Sequence, residues 1–269
     1  MRKSSPPCVV TIAGTDPSGG AGIQADIKTI SATGSYAASI ITALVAQNTC
    51  GVQAILDVSP AFIQQQIDSV FSDLDVQAVK IGMLHNEHVI DVVAAAMQTL
   101  KPTHIVFDPV MVAKNGCALI DPNTIDFLKQ RLLPLVTVVT PNIPEAETLM
   151  GESITTFAEM EHAAITLGER YQVDVLMKGG HLSGEHSSDV LYSRKNGHSD
   201  WFQAERIDTL NTHGTGCTLS SAIASYLAQH YTLYNAVSAA KHYLTQAIRS
   251  GSHFKIGHGH GPVDHFYFL

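Results

Sequence analysis

At 269 residues with 45% hydrophobic side chains, the chain is long enough to bury one sizeable core. A formal net charge of -8 with no lysine or arginine cluster argues against a nucleic-acid or membrane-surface partner and leaves a small-molecule ligand as the expectation. Cys8, Cys50, Cys117 and Cys217 lie far apart with no C-x-x-C, which argues against a zinc site or disulfide framework and fits a reducing cytoplasm.

In chain order, short β-type runs alternate with helical patterns. Residues 1–7 lack the apolar core of a signal peptide and are expected to be flexible, and no apolar run is long enough to span a bilayer. Cys8 to Ala13 reads as a strand that delivers the loop Gly14 to Gly20, and a helix follows from about Ala21 to Thr33. Ser39 to Ala46 is apolar and partly β-branched, so it predicts one strand ending at Gln47-Asn48-Thr49. Pro60 opens a helix carrying Phe62, Ile63, Ile67, Val70 and Phe71 at helical spacing, and Ala78 to Ile81 predicts a brief strand ending in Gly82-Met83. Strands at His104 to Phe107, Thr137 to Val139 and Val173 to Met177 are separated by helices near Val89 to Thr99, Asn123 to Leu132 and Thr156 to Arg170. Such alternation implies a mostly parallel sheet covered by helices on both faces. Asp189 to Tyr192 and Trp201 to Ile207 predict a hairpin turning at Asn196-Gly197, so the sheet should end in antiparallel strands. No repeat or linker divides the chain, and a single domain over 1–269 is expected.

Chemistry concentrates in Asn211-Thr212-His213-Gly214-Thr215-Gly216-Cys217-Thr218-Leu219-Ser220-Ser221. A glycine turn that opens a helix, with an apolar stripe at Leu219, Ile223, Tyr226 and Leu227, aims unpaired amides and the positive helix end at one spot, suiting a phosphoryl group. A thiol beside that spot, Cys217, should have a lowered pKa and could take a proton from an attacking hydroxyl; it could equally be an inert buried cysteine. Gly14 to Gly20, Gln47, Met83, Asp108-Pro109, Pro141-Asn142 and Lys178-Gly179-Gly180 each follow a predicted strand. In an open α/β sheet all should meet at the carboxyl edge.

Each of these has a plainer reading too. Gly20-Ala21-Gly22-Ile23-Gln24-Ala25 matches a dinucleotide fingerprint in form but lies too far beyond the strand, and no ribose-binding acid closes the second one. Asp108 could hold magnesium or cap a turn; Glu145 could join it with Asn142, or simply face a helix dipole. Lys178 before two glycines can bring its ammonium to a phosphate, or end a strand at the surface. Gln47 offers a donor and an acceptor, the complement of an aminopyrimidine edge, or caps a turn. His253, His258, His260 and His265 lack carboxylates or cysteines at ligand spacing, so a surface loop is expected for Gly-His-Gly-His-Gly-Pro.

Thr11 to Asp26, Thr42 to Thr49, Lys80 to Leu84, Asp108 to Met111, Thr140 to Asn142, Leu176 to His181 and Asn211 to Ser220 together resemble the hydroxymethylpyrimidine/phosphomethylpyrimidine kinases of thiamine biosynthesis. The match runs in order to the Gly-His-Gly-His-Gly-Pro tail, nearly the whole chain. The resemblance implies a ribokinase-like three-layer α/β sandwich, ATP as donor, Mg2+ as partner and a homodimer in the cytoplasm. It assigns Gly214, Thr215 and Gly216 to an anion hole and puts Cys217 where most superfamily relatives carry an aspartate base. Lys178 would touch the ATP phosphates, Asn142 would join it in holding the nucleotide, and Asp108, Asn142 and Glu145 would surround magnesium. Gln47 would pair with the pyrimidine, with Gly14, Asp26, Met83 and Val110 lining the pocket. The implied activity is phosphorylation of 4-amino-5-hydroxymethyl-2-methylpyrimidine and then of its monophosphate. A pyridoxal/pyridoxine kinase or a non-catalytic pyrimidine sensor are the alternatives.

Overall fold

The computed structural model describes residues 5–111, 120 and 124–269. Its strands are β1 (Cys8–Ala13), β2 (Tyr36–Ile41), β3 (Ala43–Asn48), β4 (Gly51–Asp57), β5 (Val76–Ile81), β6 (His104–Phe107), β7 (Val138–Val139), β8 (Asp174–Lys178), β9 (His186–Ser193) and β10 (His198–Glu205). Its helices are α1 (Gly22–Ala32), α2 (Pro60–Asp73), α3 (Glu87–Leu100), α4 (Thr124–Arg131), α5 (Ile143–Met150), α6 (Phe157–Tyr171), α7 (Thr215–Ala228) and α8 (Leu233–Gly251). Of the predicted flexible segment, residues 1–4 lie outside the described residues, while the Pro7 carbonyl already accepts a hydrogen bond from Tyr36 N–H at 2.9 Å. Cys117 and the first residue of the helix predicted from Asn123 also lie outside them.

Eight strands form one sheet in the order β10-β9-β8-β7-β6-β5-β1-β2. The six from β2 to β8 pair in parallel, and β9 and β10 close the sheet antiparallel, as the hairpin reading at Asn196-Gly197 expects. Strand side chains alternate between two cores. Val10, Ile12, Val79, Ile81, Phe107, Val175 and Met177 pack with Ile63, Ile67, Val93, Leu128, Ala146 and Leu167 of α2 to α6. Val9, Ala78, Val106, Val138, Leu176 and Leu191 pack with Ile30 of α1, Ile223 of α7 and Val237 of α8. The result is the three-layer sandwich that the resemblance implies.

Two elements depart from the sequence reading. The single run Ser39 to Ala46 is broken at Thr42, whose N–H bonds Ala13 O and whose hydroxyl bonds Met83 O, both at 3.0 Å. These bonds end β2 in the main sheet and turn β3 into a separate antiparallel hairpin with β4, so Gln47 reaches the site from that hairpin rather than from a sheet strand. Helix α7 is buried well beyond its predicted stripe, because it lies between the sheet, α1 and α8. Its small polar residues find partners inside: Ser221 bonds Asp26 at 2.7 Å, and Ser225 bonds Ser35 at 2.9 Å.

Candidate active site

The carboxyl ends of β1, β5, β6, β7 and β8 open into a cavity of about 500 Å³. Its lining includes Gly14, Gln47, Met83, Asp108, Val110, Asn142, Glu145, Lys178, Gly214, Thr215, Gly216 and Cys217. A second cavity of about 290 Å³ lies beside it, bounded by Asp189, Arg206, Leu219, Lys241 and Ile248. Asn142, Lys178, His181, Thr212, Thr215 and Gly216 border both. Two compartments thus meet at one polar neck, a geometry suited to passing a group between two bound molecules.

The neck is built by backbone as much as by side chains. Gly214, with φ +79°, is the residue before α7, and a Cβ on it would lie 1.8 Å from the Gly20 carbonyl oxygen. Only glycine lets the two loops approach so closely in that left-handed conformation. Thr215, Gly216 and Cys217 then form the first helical turn, whose amides have no carbonyl partner within the helix. No side chain caps this end. At Gly216 a Cβ would meet Asp108 Oδ2 and Lys178 Nζ, each at 3.3 Å, so the missing side chain leaves the charged groups open to the first turn.

Lys178, the last residue of β8, places Nζ 2.7 Å from Asp108 Oδ1 and 3.7 Å from Glu145 Oε2. Its neighbour Gly179 is held by its N–H to Asp189 Oδ1 at 3.0 Å, and Asp189 is paired in turn with Lys241 at 2.7 Å. Asp108 also accepts from the Thr140 hydroxyl at 3.2 Å and the Ser220 hydroxyl at 3.4 Å. Burial works to raise its carboxyl pKa, but the charges of Lys178 and Lys80 outweigh that and hold it low. Glu145 goes the other way: burial lifts it to about 7, opposed by Lys178 and reinforced by Asp108. Asn142 and Glu145 form a reciprocal capping box on α5, the Asn142 N–H donating to Glu145 Oε2 at 2.7 Å and the Glu145 N–H to Asn142 Oδ1 at 2.9 Å. The capping role and the place in the site therefore coexist in Glu145.

Cys217 is half-buried at the cavity wall, and its thiol overturns the expected lowered pKa. Burial pushes it up to about 12, with Lys80 opposing and Asp26 and Asp108 adding to the rise. The helix start is outweighed by desolvation and two neighbouring carboxylates.

Asp26, expected to line the pocket, lies beneath its floor and has no exposed surface. Both carboxylate oxygens are 2.8 Å from Lys80 Nζ, and they also accept from the Thr11 and Ser221 hydroxyls at 2.6 and 2.7 Å. Its carboxylate is thus occupied with protein partners. Lys80 itself borders the cavity and received no role from the sequence. The signal was available, since a lysine flanked by Ala78, Val79 and Ile81 in the buried half of the Val76–Ile81 strand needs a buried anion. Asp16 was likewise passed over: it accepts from Ser18 N–H and hydroxyl and from Ala21 N–H, ordering the loop before α1, and pairs with His213 at 2.7 Å.

The histidine-rich tail is an exposed loop at His253 and His258, and among the described residues no group of three or more His, Cys, Asp or Glu side chains could hold a metal. The tail ties the site together instead. Thr49 at the β3–β4 turn accepts from His258 and Gly259 N–H groups at 3.1 Å, and Gly261 O accepts from His213 N–H at 3.0 Å. Buried His265 is separate, 3.2 Å from the Thr218 hydroxyl.

Comparisons agree with this architecture. A family model described as phosphomethylpyrimidine kinase matches residues 16–264. The hydroxymethylpyrimidine/phosphomethylpyrimidine kinase of Escherichia coli is 47% identical over 259 residues, covering 96% of this chain and 97% of that one. The thiamine biosynthesis bifunctional protein ThiED of Geobacter sulfurreducens is 50% identical over 257 residues, 96% of this chain but 52% of that longer protein. Among solved structures, the ADP complex of Bacillus subtilis pyridoxal kinase superposes with a TM-score of 0.89 at 34% identity, covering 97% of this chain and 98% of that one. With the match extending from the loop before α1 to the tail that braces the glycine turn, the chain belongs to the phosphomethylpyrimidine kinase family.

Proposed function

We propose that this chain, acting as a single kinase domain, transfers the γ-phosphoryl group of ATP to the hydroxymethyl oxygen of 4-amino-5-hydroxymethyl-2-methylpyrimidine, and then phosphorylates the monophosphate to the diphosphate. The observation that carries this is the meeting of two cavities at Lys178, Thr215 and Gly216, with Cys217 on the wall of the larger one. The larger cavity holds the flat alcohol against Gln47, Met83 and Val110; the smaller takes the nucleotide. The Gly214-to-Cys217 turn and Lys178 face the charge that spreads over the phosphoryl oxygens during transfer, and positioning and electrostatics supply most of the acceleration in such reactions.

Cys217 acts here as a thiol. The substrate hydroxyl hydrogen-bonds to its sulfur, which aims the oxygen lone pair at phosphorus, and in a loose transition state the hydroxyl proton leaves late and passes to an oxygen of the transferred phosphoryl group. The bond formed is oxygen to γ-phosphorus, the bond broken is that phosphorus to the β–γ bridging oxygen, and ADP leaves.

Asp108 and Glu145 suit a magnesium ion. Two buried carboxylates share the one ammonium of Lys178, and burial, reinforced by the Asp108 charge, raises the pKa of Glu145, so a further cation would stabilise both carboxylates in their ionised form. Magnesium favours such sites, with a few carboxylate oxygens and retained waters, and when bound it neutralises phosphate charge. The outward face of the β3–β4 hairpin, where the paired Leu44 and Leu56 are 46% and 66% exposed, supports a homodimer. No described helix is long and apolar enough to cross a membrane.

Incubating the protein with magnesium-ATP and the pyrimidine, following ADP release and weighing the products, tests this reading. Mono- and diphosphate products, strongly reduced in Cys217→Ala, are expected. A second reading, pyridoxal kinase, is favoured by the TM-score of 0.89 to the Bacillus subtilis enzyme. Turnover of pyridoxal alone would replace the substrate assignment, and binding of the pyrimidine without turnover would make the chain a sensor.

A further inference from the structure

Gln47 meets the rest of the site through His213, and the chemistry of that contact has only one self-consistent form. The amide nitrogen, Nε2, of half-buried Gln47 is placed 3.3 Å from His213 Nε2, and the same ring nitrogen lies 2.7 Å from Asp16 Oδ2. Asp16 is 2% exposed and also receives the Ala21 N–H on that oxygen, with the Ser18 N–H and hydroxyl on the other. Although burial works against ionisation, these donors and His213 hold the carboxyl down to about 2. An ionised carboxylate only accepts, so His213 Nε2 must carry the hydrogen that faces it. The ring nitrogen then has no lone pair left for Gln47. The amide nitrogen placed there sets two N–H donors against each other; exchanging the amide oxygen and nitrogen, which have nearly the same shape, lets the oxygen accept a share of the same hydrogen.

We propose that Asp16 and His213 act as positioning residues that lock the Gln47 amide with its oxygen on His213 and its NH2 group offered to the larger cavity, so that the site selects flat heteroaromatic alcohols presenting an acceptor nitrogen at that edge. The inference rests on the reading of that cavity as the acceptor site. It goes further by giving the amide one polarity. Free Gln47 could turn either face to a ligand; locked Gln47 donates to the ring nitrogen, while its oxygen keeps one lone pair for the neighbouring amino group. The main chain at His213 is itself fixed, its backbone N–H donating to Gly261 O of the tail at 3.0 Å.

The test compares binding, by calorimetry, of the hydroxymethylpyrimidine and of an analogue in which the ring nitrogen beside the amino group is replaced by CH. Wild-type protein is expected to bind the pyrimidine at least tenfold more tightly, the range expected when a site's buried donor is left unpaired. In His213→Leu the ratio should fall toward one while ATP affinity stays within about twofold. His213→Gln, which keeps an N–H near the position of Nε2, should restore most of the discrimination. Long-range 15N–1H spectra of the His213 ring, read on the wild type without any variant, should show the hydrogen on Nε2. A bare Nε2 overturns the relay, as does a ratio near one in the wild type or a ratio unchanged in folded His213→Leu. If the wild type binds the pyrimidine without discriminating, the relay falls and the acceptor-site reading survives; if it binds neither compound, that reading falls and the relay with it.

Discussion

Lys178 Nζ stands 2.7 Å from Asp108 Oδ1, joining the ends of β8 and β6 across 70 residues of sequence at the neck between the two cavities. The ammonium is the one side-chain cation bonded to both Asp108 and Glu145 among the described residues. Replacing it affects chemistry more than the fit of the flat alcohol. For Lys178→Met, kcat should fall about 10²–10³-fold, the loss seen when one preorganised charge-stabilising donor is removed. Pyrimidine affinity measured by calorimetry should change far less, and a parallel loss of both would assign Lys178 to acceptor binding instead.

Glu145 gives the apo protein a pH signature. Its carboxyl sits near pH 7 in the folded chain, against an ordinary value of 4.5. The folded state therefore holds this proton more tightly than the unfolded state does. The stability linked to it is fully present below about pH 4.5 and is lost as pH rises through about 7. Thermal unfolding without divalent metal should show Tm declining from pH 5 to 8 more steeply in the wild type than in Glu145→Gln. Equal slopes would remove Glu145 as the source.

The thiol of Cys217 should react slowly with alkylating reagents at neutral pH. With its pKa pushed up to about 12, very little thiolate is present, and the labelling rate should keep rising with pH through 9 without a plateau. Exposed Cys50 must be replaced by serine for the measurement, since its surface position makes it a competing target. Rapid labelling of Cys217 at pH 7, read by mass spectrometry of the peptide, would mean the site lowers its pKa after all.

Asp26 and Lys80 form an ion pair with no exposed side-chain surface. Removing one partner strands a buried charge, so Asp26→Ala should cost about 3–5 kcal/mol in urea unfolding. A residue that merely lined the pocket would show a raised KM with unchanged stability, and that result would reinstate the original expectation for Asp26.

The sequence carried the sheet and most of the site because these are local patterns. A strand such as His104–Phe107 is a buried apolar run, and each functional loop follows one, so the carboxyl-edge rule alone brings Asp108, Lys178 and Gly14 to one place. The glycine turn before α7 announced itself through Gly214 and Gly216. Tertiary structure alone decided the rest. Thr42 breaks the run because two partners from elsewhere in the chain, Ala13 at the end of β1 and Met83 in the loop after β5, are waiting for it, and no local preference records them. The position of Asp26 under the floor depends on Lys80, 54 residues away, and the state of the Cys217 thiol depends on burial among charges from three other elements. Periodicity reports which face of an element is apolar; desolvation and charge pairing arise only when distant segments close over one another, and these set the chemistry of the site.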